Sequence, residues 1–91
     1  MEKYEILEKT IATYGKKMQL VVAMEEMSEL IKELSKNIRG KDNVDAISEE
    51  MADVLIVVEQ LMMIFENYSE VENWIDKKIA RQKERLQKVY E

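Results

Sequence analysis

No proline and only two glycines, Gly15 and Gly40, interrupt this chain of 91 residues. Sheets and long irregular loops need turn-forming residues at short intervals, so a chain this poor in them is restricted to long helices joined by short connections. The remaining breaks lie at Thr13-Tyr14-Gly15, at Asn37 to Asn43 (with Arg39-Gly40-Lys41-Asp42 inside it), and at Asn67-Tyr68-Ser69. They predict four helices with approximate limits 2–13, 16–38, 44–67 and 70–90. The expected fold class is therefore all-α, a single domain over 1–91, folded as a four-helix antiparallel subunit. Asn43 is placed to cap the third helix, and Ser69 with Glu72 three residues on has the form of a capping box for the fourth.

Apolar residues divide the helices by role. In the second, Leu20, Met24, Met27, Ile31, Leu34 and Ile38 recur at alternating steps of four and three and read as a core seam. The third is apolar almost all round from Val54 to Phe65, with Ile56 and Met63 opposite Val54, Val58 and Leu61. A helix of that kind is buried on several sides, and so short a chain has one layer of neighbours to cover it. The expectation is an oligomeric helix bundle, a homo-oligomer (dimer or tetramer) whose centre uses helix three of each subunit. The seven methionines read as adaptable core filler.

A net charge of −5 with no basic tail or arginine-rich block argues against nucleic acid as a partner. A polyanionic ligand needs a local basic stripe or a divalent cation to bring it in. The absence of cysteine excludes disulfides and thiolate metal sites and fits a cytoplasmic setting. Met1-Glu2-Lys3-Tyr4-Glu5 lacks the apolar stretch of a signal peptide, and the longest apolar segment is broken by Glu59-Gln60, so no membrane partner is expected.

Two acidic clusters ride on helices: Glu25-Glu26-Met27-Ser28-Glu29 on the second and Glu50-Met51-Ala52-Asp53 on the third. Glu26 with Glu29, and Glu50 with Asp53, stand in i, i+3 relation, about 60° apart, so a helical hairpin can aim two oxygen ligands from each helix at one point. Glu50 is the most informative, because it projects into the apolar stripe of Ile47, Val54, Val57 and Leu61. An uncompensated charge there costs several kcal/mol, or the group neutralises. A cation compensates it, and an all-oxygen set without His or Cys favours Mg²⁺, with Mn²⁺ the other candidate. A salt bridge from a buried Lys or Arg is the alternative. Taken alone, Glu26 and Glu29 read as surface acids off the seam, and Glu25, Glu33 and Glu49 as solvated charges.

On the fourth helix Trp74, Lys78, Arg81 and Arg85 share a sector beside the apolar face of Val71, Ile75, Ile79, Gln82 and Leu86. This is a basic stripe suited to gripping phosphate oxygens, or equally a set of side chains that pair with acids of a neighbouring helix. Trp74 and Tyr14 are candidates for stacking on a base, with core or interface packing as the other reading.

The pattern Glu25-Glu26-x-x-Glu29 followed across a loop by Glu50-x-x-Asp53 resembles the EExxE…ExxD signature of the all-α nucleotide pyrophosphohydrolases, the superfamily of MazG. Gln19-Leu20, Leu30-Ile31, Arg39-Gly40, Ala52-Asp53-Val54 and Glu59-Gln60-Leu61 extend the resemblance to about residues 14 to 86. It implies a helical subunit in a dimer or tetramer, Mg²⁺ held by Glu26, Glu29, Glu50 and Asp53, and hydrolysis of a nucleoside triphosphate substrate, ribo or deoxy, to the monophosphate and pyrophosphate, a nucleotide house-cleaning reaction. Glu25 is the candidate for positioning or deprotonating the attacking water, although its projection points away from Glu26. Short connections leave no insertion that reads a base, and phosphoribosyl-ATP is an alternative substrate. A different class of answer is a non-catalytic oligomerisation or adaptor module, which leaves Glu50 unexplained. A di-iron carboxylate bundle needs Glu-x-x-His pairs, and the chain has no His.

Overall fold

Each break in the sequence ends a helix by its own backbone device. Gly15 has φ 92° and ψ 152°, a region closed to residues with a Cβ, and its N–H donates to Ile11 O at 2.8 Å. Gly40, at φ 101°, turns the chain after the second helix, its N–H donating to Asn37 O at 2.9 Å. Glu66 closes the third helix in the left-handed conformation, φ 51°, and Asn67 N–H reaches back to Met62 O at 3.4 Å. The computed structural model describes residues 1–91 and contains four helices and no strand: α1 (Lys3–Tyr14), α2 (Lys16–Ile38), α3 (Val44–Phe65) and α4 (Tyr68–Val89).

The two expected caps take other forms. Asn67, not Ser69, occupies the N-cap position of α4 and makes no side-chain cap bond, so the Ser69–Glu72 box does not form. Asn43 sits at the N-cap of α3, but its side chain crosses to α2 instead. Its Nδ2 donates to Glu33 O and to Glu33 Oε1, both at 2.9 Å, and Oδ1 accepts from Asn37 Nδ2 at 3.3 Å.

An antiparallel hairpin of α2 and α3 forms the body, with α1 laid against it through the buried Leu7. The α2 residues turned toward α3 are Gln19, Ala23, Glu26, Leu30 and Glu33, spaced four and three; Glu50, Asp53, Val57 and Gln60 answer them from α3. This stripe lies one residue, about 100°, from the expected core seam. Met24 (63% exposed), Ile31 (66%), Leu34 and Ile38 (86%) face outward, and Leu20 and Met27 are half-buried. The seam is therefore not the core of one subunit. Hydropathy favours the wrong stripe because two of the polar groups that α2 turns inward, Gln19 and Glu33, are paired with Gln60 and Asn43, and pairing removes the burial penalty that periodicity assumes.

Only six residues are buried: Leu7, Ala23, Val57, Gln19, Asn43 and Gln60. Half of them are polar, so side-chain hydrogen bonds fix the hairpin register as much as apolar contact does. Apolar side chains do surround α3, yet Met51, Leu55 (70%), Ile56 and Phe65 remain exposed. The fourth helix departs from the expected antiparallel four-helix subunit: it stands off from the other three, with every residue exposed except the half-buried Val71. The chain extends 53 × 36 × 23 Å. No helix is long and apolar enough to cross a membrane.

Candidate metal centre

The hairpin register brings Glu26 of α2 opposite Glu50 and Asp53 of α3, and one carboxylate oxygen from each lies within 4.8 Å of the others. Adjacent and opposite ligands of a six-coordinate cation with bonds of about 2.1 Å stand roughly 3 to 4 Å apart, so the three oxygens match one small cation after slight contraction. All three side chains are half-buried.

Glu50 is the least compensated of them. Its Oε2 is buried and has no hydrogen-bond partner. The ion pairs of the chain are Lys32–Glu29 at 3.2 Å and Lys36–Glu33 at 2.9 Å, so no Lys or Arg serves Glu50 and the salt-bridge alternative is not realised within the chain. Burial pushes the Glu50 carboxyl above its ordinary value, with the charges of Asp53, Glu29, Glu49 and Glu33 adding to the effect. The Glu26 carboxyl is also raised, first because it and Asp53 approach closely enough to share a proton, then by burial and by the charges of Asp53, Glu50 and Glu29. Three acids without a counter-charge are a cation's environment.

The remaining sequence candidates are distributed unevenly. Glu29 is near enough for its charge to raise Glu26 and Glu50, but its Oε1 accepts from Lys32 Nζ instead of joining the cluster. Glu25 is exposed, away from the three. Glu33 belongs to the scaffold: hydrogen bonds from Lys36 and then Asn43 hold its carboxyl below the ordinary range. Trp74, Lys78, Arg81 and Arg85 are exposed on α4, which one subunit does not bring to the carboxylates. The Trp74 ring already carries Lys77 Nζ at 5.0 Å and Lys78 Nζ at 5.9 Å from its centroid.

Beside the acids lies a pocket of about 540 Å³ between α1, α2 and α3. Glu26 and Asp53 contribute to its lining, as do Tyr14, Met18, Val22 and Ile56, with the buried Gln19 and Gln60 among them. Gln19 Nε2 donates to Gln60 Oε1 at 3.2 Å and Gln60 Nε2 to Leu7 O at 3.4 Å. Sequence reasoning passed over this amide pair. The available signal was that Gln19 and Gln60 continue, at a spacing of seven, the positions of Glu26 and Asp53. No protein-family model, curated protein or solved structure matches the chain.

Proposed function

We propose that the chain is a Mg²⁺-dependent nucleoside triphosphate pyrophosphohydrolase of the MazG type, yielding the monophosphate and pyrophosphate. The observation that carries this reading is the convergence of Glu26, Glu50 and Asp53, one of which, Glu50, has a buried carboxylate oxygen without a partner. Glu26, Glu50 and Asp53 would hold the ion, and Glu29 joins them by giving up Lys32. Bound there, Mg²⁺ supplies charge neutralisation of phosphate oxygens and acidification of a water. The carboxylates would serve as oxygen ligands, and a divalent ion would relieve their mutual repulsion with two charges where a proton brings one. Glu25, about 100° round the helix from Glu26, is left to position the attacking water from outside the ligand set. The water oxygen attacks the α-phosphorus as its proton passes to the Glu25 carboxylate, the α–β bridging bond breaks, and pyrophosphate departs.

Phosphate binding falls to Lys78, Arg81 and Arg85. Their helix stands away from its own subunit, so the reading includes a homo-oligomer in which α4 of one copy reaches the carboxylates of another. The exposed stripe of α2 supports that assembly. It equally favours a second reading, a non-catalytic helical assembly module.

Pyrophosphate release from a panel of ribo- and deoxynucleoside triphosphates and phosphoribosyl-ATP, in Mg²⁺ and in EDTA, separates the two. Metal-dependent, equimolar appearance of monophosphate and pyrophosphate is expected from at least one member. Silence across the panel, with Mg²⁺ bound or not, leaves the assembly module.

A further inference from the structure

The layer that pairs Glu26 with Asp53 repeats seven residues away, where Gln19 meets Gln60. Seven residues of α-helix rise about 10 Å, so a layer of carboxamides lies two turns from the layer of carboxylates. Between the two layers sit the buried Ala23 and Val57. Both layers open on the same 540 Å³ pocket. That separation is comparable with the reach from an α-phosphate across one sugar to the hydrogen-bonding edge of a base.

Burial of the amides is the second observation. Gln19 and Gln60 are 6% and 4% exposed, in positions where a Leu pair would fill the space without polar atoms. Gln60 is held at both ends of its amide: Oε1 accepts from Gln19 and one Nε2 hydrogen goes to the Leu7 carbonyl. Gln19 is held at one end only. Its Oε1 and second Nε2 hydrogen have no partner within the chain, and the residue lines the pocket. A primary carboxamide so placed offers an acceptor and a donor side by side, the pattern that nucleobase edges complement in bidentate fashion. Val22 and Ile56 supply apolar walls, and the exposed ring of Tyr14 stands among the lining residues, free to stack.

From this juxtaposition the geometry points to a nucleobase subsite: the base enters the apolar pocket, its donor–acceptor edge pairs with the Gln19 amide, and Gln60 holds that amide in orientation. The link from base to hydrolysed phosphates rests on the pyrophosphohydrolase reading; the base subsite itself rests on the pocket alone. Purine and pyrimidine edges share this chemistry, and the arms of the experiment separate them.

The test uses the full chain in EDTA with phosphate-free adenosine, guanosine, cytidine and uridine, following the Gln19 and Gln60 side-chain NH₂ resonances in ¹⁵N-edited spectra. At least one nucleoside is expected to shift both signals saturably at millimolar concentration. Gln19→Met, close in volume, is expected to weaken that nucleoside about tenfold, the loss of one or two hydrogen bonds. Four nucleosides that leave both amide signals in place overturn the proposal, as does a folded Gln19→Met chain that binds like the parent. Nucleoside binding without metal-dependent pyrophosphate release sinks the hydrolase reading and leaves the subsite standing. Pyrophosphate release with unmoved Gln19 and Gln60 signals sinks the subsite and leaves the hydrolase.

Discussion

A buried carboxylate oxygen without a partner, as Glu50 Oε2 is, must be neutralised by a proton or a cation or else destabilise the fold. Glu50 and Glu26 both have carboxyl pKa values above the ordinary 4.5 in the folded chain. The folded state therefore holds protons that the unfolded state releases, and the stability they contribute is full below pH 4.5 and lost as pH rises through the raised folded values. Glu33 has the opposite sign: its lowered value contributes stability above 4.5 that is lost only as pH falls below it. Above pH 4.5 the first effect governs. Thermal melts in EDTA should thus give a Tm that falls as pH rises above that value, and Mg²⁺ should raise Tm more the higher the pH, because it then displaces fewer protons. A Tm independent of pH and Mg²⁺ would remove the case for a cation. Glu50→Gln should flatten this pH dependence, raise the Tm of the metal-free chain at pH 7, abolish the Mg²⁺ increment and stop pyrophosphate release with the helical circular dichroism retained. Full activity in that variant would dispose of the proposed site.

Asn43 is a residue whose type was legible and whose task was not. An Asn before a helical run reads as an N-cap, and a cap accepts Asp as readily as Asn. Here Nδ2 donates to the Glu33 carboxylate and carbonyl, so the interaction requires a donor. Asn43→Ala should cost about 1–3 kcal/mol in urea unfolding. Asn43→Asp should cost more, since it sets a second carboxylate against Glu33; equal stability of Asp and Asn would restore the cap reading.

At the level of elements, the four helices could be placed from sequence because their ends are marked by Gly15, Gly40 and the small polar residues around Asn67. Glu66 carries no such mark. Its left-handed φ of 51° is a conformation glycine adopts without a Cβ penalty, so Glu66→Gly should stabilise the chain by about 1 kcal/mol, seen as a Tm several degrees higher. An unchanged or lower Tm would mean that this turn opens in solution. Which face of α2 turns inward was not legible, for a physical reason. Periodicity ranks faces by hydropathy, whereas the hairpin selects the face on which Gln19 pairs with Gln60 and Glu26 meets Asp53. Glu50 escaped that error because its surroundings on α3 are apolar on either count. The acid triad could thus be read from spacing, while the separation of α4 from Glu50 could not: nothing local in Trp74, Lys78, Arg81 or Arg85 encodes where their helix docks.

The molecule as a whole exposes 7492 Å², whereas a compact chain of 10.8 kDa exposes about 5,500 Å². Its radius of gyration is 16.7 Å against about 12 Å for a compact domain of this length. The excess of about 2,000 Å² per chain is what an obligate interface covers, and such interfaces are apolar. Met24, Ile31, Leu34 and Ile38 on α2, Met51 and Leu55 on α3, and Ile75, Ile79 and Leu86 on α4 are the exposed side chains such an interface would take. Burying an Ile, Leu or Met contributes about 1.5–3 kcal/mol each, so a handful of them supplies a stability the six buried residues of one chain do not. Ile31→Lys places a charge in the middle of the α2 stripe, one helical turn from Met27 and Leu34. In sedimentation velocity this variant should shift the chain from dimer or tetramer toward monomer and lower its Tm, with Lys32→Ala, one residue away on the polar side, as the unaffected control. If the two variants sediment alike and as the parent does, the α2 stripe is not the assembly face, and the route by which α4 of another copy reaches Glu26, Glu50 and Asp53 fails with it.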